Sequence, residues 1–401
     1  MYLTKNLIFV GVALLFALAC TNNAPSGTTA TTAPVPGADT PPPSAKPEVY
    51  LYVNKVDKLN LRDQPNKGGQ VITQLKEGEF VESQGEKSAN KEMAVLRGIE
   101  WNEPYYKVTT TTPQQQTGWA YGGALKPVYS GPRNTSPDLG KLTPFSMYLT
   151  GLDTKKLESG KQAWSYVTAN FGDTKGTLAD AAFLLLQQFL FRMETEGEYY
   201  KMTEKVKWAE DDYQAIAGKT YDLTKNPVTK TLLDNGFVLE VGEGMIFPIV
   251  DWKRLRNFFQ DKVTPPMKNY LQQTEVENSK NAYGDGGFVI PMNEIADRAV
   301  FWEKFNRDHP YFVLQEETQN SELWMRHSLT NGADNTPVFD YETKQVLPEF
   351  SQMWQYVLQQ YPGTEAAKRV KEFSELVAAE GGKRSQKVEN QQQKYNDELM
   401  Q

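Results

Sequence analysis

The chain divides into stretches that differ in the spacing of their apolar and polar residues. An apolar run at residues 7–18 is followed by residues 21–48, which are almost entirely Pro, Thr, Ala, Gly, Ser and Asn and show no apolar period. From residue 49 to 128, apolar positions alternate with polar ones, and turn-forming residues separate the alternating runs. A period of two residues is typical of short β-strands, so we expect a small all-β domain here.

Residues 146–380 show helical spacing instead. Thr177 and Asp180 have the spacing of a helix capping box, and residues 181–193 after them are apolar on nearly all sides. This pattern predicts a central buried helix. Apolar runs at 237–239 and 245–247, bracketed by glycines, predict one β-hairpin inserted among the helices.

A faint repeat lies in the second half of the helical stretch. Trp302 and Trp354 each precede a proline by eight residues, and a further helical pattern follows each proline. We therefore expect solenoid-like helix pairs within an otherwise irregular, mainly α-helical domain.

Three polar stretches are predicted to lie outside the folded domains. Residues 21–48 cannot bury enough apolar surface to fold, which predicts a disordered tether. Residues 129–145 contain Gly131-Pro132 and Ser136-Pro137, which predict a linker between the all-β and helical domains. Residues 381–401 are polar and rich in Gln, so we expect a frayed or disordered tail.

An ordered series of motifs in residues 49–128 resembles a bacterial SH3 domain. The motifs are Leu59-Asn60-Leu61-Arg62-Asp63-Gln64-Pro65, Val71-Ile72, Tyr106-Lys107-Val108 and Gly118-Trp119-Ala120-Tyr121. The resemblance implies a small, partly open SH3-like β-barrel that contacts cell-wall peptide or glycan, or a protein partner, and it implies no catalysis. The chain departs from the family in a long connection at residues 83–104, which either covers the binding groove or extends it.

Three aromatic residues are candidates for ligand binding in this domain: Trp101, Tyr105 and Tyr121. Aromatic rings offer a large contact area at low entropy cost. Tyr105 and Tyr121 are expected to face outward from neighbouring strands, although packing inside the barrel is the alternative. Trp119 is expected in the barrel core.

The first twenty residues have the pattern of a secretory signal. Lys5 precedes the apolar run, which is shorter than the ~20 residues that span a bilayer. Ala17-Leu18-Ala19-Cys20 resembles the lipobox of bacterial lipoproteins, with Ala17 where the family prefers Leu. The resemblance implies that Cys20 is lipidated, by palmitate among other acyl chains, and anchors the protein to a membrane of the cell envelope. The alternative is an ordinary signal peptide with an incidental cysteine.

Net charge and the small number of cysteines and histidines exclude several classes of function. The 401 residues carry a net charge of −7, which argues against a nucleic-acid-binding protein. One cysteine and two histidines, His309 and His327, exclude a disulfide framework within the chain and most multi-histidine metal sites. A cysteine peptidase needs a free thiol, and Cys20 is assigned to the anchor. We expect no cofactor and no metal.

The sequence therefore predicts a non-catalytic, lipid-anchored envelope protein that binds or scaffolds. Its expected partners are the membrane, through the anchor, and cell-wall peptidoglycan or an envelope protein. The alternative is an envelope hydrolase of the glycosidase type, which needs two carboxylates at a suitable separation. The candidate acids for that pair are Glu194, Glu196, Glu198, Glu240 and Glu243.

Overall fold

The computed structural model describes residues 46–242 and 244–399. Cys20 and most of the predicted tether lie outside the described residues, as does Glu243. Within the described ranges an antiparallel β-sheet domain precedes a mainly helical region. The predicted fold class, an SH3-like barrel followed by a mainly α-helical region, is confirmed.

The sheet domain contains eight antiparallel strands. Their order is β3-β2-β7-β6-β4-β1-β8, and β5 pairs with β6 beside β4. The predicted insertion at 83–104 forms β5 and the first half of β6, a long hairpin. The strands are β1 Val49–Asn54, β2 Lys58–Arg62, β3 Val71–Lys76, β4 Phe80–Ser83, β5 Lys87–Leu96, β6 Ile99–Thr110, β7 Thr117–Tyr121 and β8 Leu125–Gly131.

The helical region is interrupted by short hairpins. The predicted hairpin is present as β9 Phe237–Gly242 and β10 Met245–Val250, and a smaller one follows as β11 Tyr283–Gly284 and β12 Gly287–Phe288. No helix in the described part of the chain is long and apolar enough to cross a membrane. The helices are α1 Leu139–Thr150, α2 Glu158–Phe171, α3 Thr177–Glu196, α4 Tyr200–Thr203, α5 Glu210–Ala217, α6 Pro227–Asp234, α7 Trp252–Phe259, α8 Pro265–Ser279, α9 Met292–Asp308, α10 Gln315–Asn331, α11 Pro348–Gln360, α12 Glu365–Ala379 and α13 Gln386–Leu399.

The predicted central helix is α3, which is buried along most of its length. Its N-cap is Gly176 at φ 69°, so the predicted capping box at Thr177 is wrong. The Thr177 hydroxyl instead donates to the Thr135 carbonyl oxygen at 2.6 Å, which ties the start of α3 to the segment after β8.

The two repeated tryptophans pack inside the helical region, at 2% and 4% exposed. Trp302 in α9 donates through Nε1 to Glu277 at 2.8 Å, and Trp354 in α11 donates to the Leu329 carbonyl at 2.7 Å. Helix α9 packs against α10, and α11 packs against α12. The hydrogen bond of Trp302 therefore ties α9 to α8, and that of Trp354 ties α11 to α10, in addition to the packing within each helix pair.

The predicted linker at 129–145 is largely regular structure. Strand β8 continues to Gly131 and α1 begins at Leu139. The sheet face that carries Val49, Leu51 and Val53 belongs to the same buried apolar cluster as α1 and α3. A free linker is not present at 129–145, because part of the sheet shares this cluster with the helices, while the interior of the sheet domain forms a second apolar cluster of its own.

Ionic contacts reinforce this shared core. Glu77, in the turn before β4, binds Arg192 of α3 at 2.6 Å. Glu77 also binds Arg97, at the tip of the β5–β6 hairpin, at 2.8 Å. Arg97 reaches Glu196 at the end of α3 at 3.0 Å. The hairpin tip is thereby fastened to the helical region.

The predicted frayed tail is wrong over residues 386–399, which form α13. Val388 and Tyr395, seven residues apart, are buried against the helical region. Asn331 of α10 donates to the Gln392 carbonyl at 3.0 Å, and the Gln392 side chain donates to the Thr330 carbonyl at 2.8 Å. Two buried side chains, these amide hydrogen bonds and an ion pair between Arg369 of α12 and Glu398 dock a helix that is otherwise polar.

The shared core predicts one cooperative unfolding transition. Leu51→Ala removes a fully buried side chain between sheet and helices, so it should lower the free energy of unfolding by about 2–5 kcal/mol. The unfolding midpoint followed by helical circular dichroism and the midpoint followed by tryptophan fluorescence should fall together by the same amount.

Val71→Ala is the matched control, because Val71 is 51% exposed on edge strand β3 and should change stability by less than about 0.5 kcal/mol. Two separate transitions, with Leu51→Ala moving only the one from the sheet, would contradict the shared core.

Candidate functional site

The two tyrosines predicted to form an outward-facing platform are buried. Tyr105 in β6 and Tyr121 in β7 are directly paired and are 3% and 6% exposed. Their rings pack edge to face, with centroids 5.5 Å apart. The prediction that these rings face outward is therefore wrong.

The β5–β6 hairpin covers both rings. The Tyr121 hydroxyl oxygen lies 2.8 Å from the carbonyl oxygens of Glu92 and Trp101, one on each strand of the hairpin. The same oxygen accepts a hydrogen bond from the Glu103 amide at 3.2 Å. The insertion is expected either to cover or to extend the binding groove, and in the structure it covers the face that carries Tyr105 and Tyr121.

Trp119, expected in the core, is only partly buried. It shares a sheet face with its paired partner Lys107, whose Nζ lies 5.8 Å from the ring centroid. Its neighbour along the strand, Ala120, points to the opposite face and is fully buried. We call Arg62, Lys107 and Trp119 the outer face. Its cations are engaged, because Lys107 pairs with Glu86 at 3.1 Å and Arg62 donates to the Gly69 carbonyl at 2.7 Å.

A second aromatic surface lies where the sheet meets the start of α10. The rings of Tyr50 and Tyr52 are stacked 6.4 Å apart, and Tyr52 lies 5.3 Å from Tyr106. Burial, and then Glu316 in the first turn of α10, raise the pKa of the Tyr106 phenol. None of the three phenol hydroxyls has a hydrogen-bond partner among the described residues.

Charged groups flank these rings. Lys87 Nζ lies 4.6 Å from the centroid of Tyr106. We call Tyr50, Tyr52, Tyr106, Lys87 and Glu316 the junction surface.

Trp101, the third predicted binding residue, lies in the hairpin half of β6, and its ring contacts the ammonium group of Lys55. Lys55 Nζ is 3.8 Å from its ring centroid, and burial lowers the pKa of Lys55 to about 8. Beside them Lys126 pairs with Glu317 of α10, a direct ionic contact between the sheet and the helical region.

The carboxylates considered for a hydrolase are engaged separately. Glu194 in α3 accepts the Val250 amide of β10 at 2.7 Å, and burial raises the pKa of this carboxyl to about 7. Glu196 accepts from Thr154 at 2.6 Å and binds Arg192. Glu198 pairs with Lys201 and Glu240 pairs with Lys219, while Glu243 lies outside the described residues.

The two histidines sit in apolar packing. His309 follows α9, and its ring contacts Phe305 with centroids 4.9 Å apart. His327 lies within α10, where burial lowers its pKa to about 4. Across residues 46–242 and 244–399, no group of three or more His, Cys, Asp or Glu side chains is placed to hold a metal ion.

Comparison with known families identifies the sheet domain. The family model for the bacterial SH3 domain matches residues 57–126. The match begins just before β2 and ends in β8, so β1 and most of β8 lie outside it. No curated protein and no solved structure gives a match to the chain. The chain thus carries a bacterial SH3 domain followed by a mainly helical region.

The covered tyrosine predicts a structural role that can be measured. Tyr121→Phe should lower the free energy of unfolding by about 1–3 kcal/mol, because it leaves buried hairpin groups without their partner. Faster hydrogen exchange at the Glu103 amide should accompany the loss.

Tyr106→Phe is the control for this change, since its hydroxyl has no partner among the described residues. It should alter stability by less than about 0.5 kcal/mol. Equal losses in the two variants would show that the Tyr121 hydroxyl does not fasten the hairpin.

Proposed function

We propose that the protein is a non-catalytic, lipid-anchored component of a bacterial cell envelope that binds cell-wall peptidoglycan through its SH3 domain. The observation that carries this proposal is the bacterial SH3 match at residues 57–126, in a sheet that carries tyrosine rings beside Lys87. Aromatic rings stack on the apolar faces of sugars, and ammonium groups pair with the carboxylates of wall peptides.

The contacts of the candidate acids support binding rather than hydrolysis. A glycosidase needs one protonated and one ionised carboxyl facing the same bond. Glu194 holds the backbone of β10, and Glu196 holds Arg97 and Arg192. These carboxylates already serve the packing of α3.

The anchor is proposed from the sequence alone. The small residues before Cys20 support lipidation, and several acyl chains hold a protein to a membrane more firmly than one. An extended Pro-rich chain spans up to ~3.1 Å per residue, so residues 21–48 can carry the SH3 domain several nanometres from the membrane.

Wall binding is tested with the full chain in detergent and purified insoluble peptidoglycan. The protein should sediment with the wall in a saturable manner, and the supernatant should contain no more soluble sugar or peptide than a buffer control. Release of soluble fragments would support the hydrolase instead. A protein that stays in the supernatant at every wall concentration would rule out the proposed function.

The anchor is tested by Cys20→Ser in cells fed a radioactive fatty acid. The parent protein should incorporate the label and fractionate with membranes, whereas the variant should carry no label and leave the membrane fraction. An unlabelled parent, or a labelled variant, would show that Cys20 is not the lipidated residue.

A further inference from the structure

The hydroxyl group of Tyr52 departs from the usual pattern for a buried tyrosine, as does that of Tyr395 in α13. A buried phenol ordinarily finds a hydrogen-bond partner. Tyr121 meets this rule through the Glu92 and Trp101 carbonyls, and Tyr199 through the Thr154 carbonyl. Tyr52 is 7% exposed, yet its hydroxyl has no partner among the described residues.

The position of the Tyr52 hydroxyl explains how this is tolerated. Its oxygen is absent from the buried side-chain atoms that lack a partner among the described residues, so it reaches solvent at the surface of the stacked rings. Tyr50 and Tyr106 are half-buried on either side of it. The three rings form a row whose edges offer unused hydrogen-bond donors.

Unpaired charges of opposite sign flank this row. Lys87, over the Tyr106 ring, and Glu316, near the Tyr52 and Tyr106 phenols, form no salt bridge among the described residues. The neighbouring Lys126 and Glu317 are paired with each other. Within the described part of the chain, the site therefore offers a cation from the sheet, Lys87, and an anion from the helical region, Glu316, that form no salt bridge.

We propose that the junction surface binds a charged glycopeptide, with a sugar ring on the tyrosines and the ionic groups of its peptide at Lys87 and Glu316. Sugar faces stack on aromatic rings, and sugar hydroxyl and amide oxygens accept hydrogen bonds from phenols. A peptide that carries both a carboxylate and an amine complements the two free charges.

This inference rests on the proposed function and adds a role for the helical region. Glu316 belongs to α10, which lies far outside the SH3 match at 57–126. The ligand would therefore touch both parts of the fold. The outer face is less suited, because it has one ring, Trp119, and the cations there are already engaged by Glu86 and Gly69.

The test measures binding of soluble disaccharide-peptides, released from purified peptidoglycan by a muramidase, to the full chain in detergent by calorimetry. Tyr50→Ala should weaken binding about fivefold or more, because one stacking ring is lost. Glu316→Gln should weaken binding severalfold, because a charge contact is removed. The difference in affinity between this variant and the parent should become smaller at high salt, because salt screens that contact in the parent.

The matched control is Trp119→Ala, which removes an aromatic ring from the opposite face of the same sheet and should change the affinity by less than twofold. Thermal melts check that each variant is folded. If Tyr50→Ala unfolds, Glu316→Gln carries the test, because Glu316 is an exposed side chain without an ion pair among the described residues.

The outcomes separate the two proposals. Loss of affinity in Tyr50→Ala and Glu316→Gln, with Trp119→Ala unchanged, supports the junction surface. Loss in Trp119→Ala alone overturns it, while wall binding stands. A parent protein that binds neither insoluble peptidoglycan nor the soluble fragments overturns the proposed function and the inference together.

Discussion

The apolar contact between strand β1 and the helices is the interaction on which the other features depend. Val49, Leu51 and Val53 point from one face of β1 into the cluster that also contains α1 and α3. Burial of side chains of this size stabilises by about 1.5–3 kcal/mol each. Because strand side chains alternate, the same burial forces Tyr50 and Tyr52 to the opposite face. A slip of one residue would take Val49, Leu51 and Val53 out of this cluster and would take Tyr52 out of the second buried cluster, to which it belongs.

The long hairpin meets a related constraint farther along the sheet. Tyr105 and Tyr121 would leave a large apolar area in water if nothing covered them, and the hairpin removes it. Arg97 at its tip then binds Glu77 and Glu196, which are themselves tied to Arg192 of α3. The insertion is held at both ends, so it adds rigidity to the contact between sheet and helices.

Local patterns in the sequence predict the elements, whereas contacts between distant segments decide the site. The alternation in residues 49–128 and the apolar run of α3 correctly indicate strands and a buried helix. Alternation also places Tyr105 and Tyr121 on one sheet face, but nothing local shows that the hairpin folds over it. The turn residues at 131–137 are real signals of a bend, yet they do not reveal that β8 and α1 share a core. Glu316 lies near Tyr52 and Tyr106 although more than 200 residues separate them along the chain, a juxtaposition that only the folded chain provides.

The shared core also determines how the proposed anchor and the proposed binding surface are coupled. The tether ends at Glu48, whose amide donates to the Gly131 carbonyl at 3.1 Å, and β1 with its tyrosines begins at the next residue. Among the described residues, Glu48 is followed directly by β1, so the junction surface begins two residues after it, in a sheet that shares an apolar cluster with the helices. If Cys20 is lipidated and the junction surface binds the wall, as proposed, the reach of that surface would depend on the number of residues between Cys20 and Glu48, which would set its effective concentration at the wall. A shorter segment would then change binding at the membrane without changing the intrinsic affinity of the folded part.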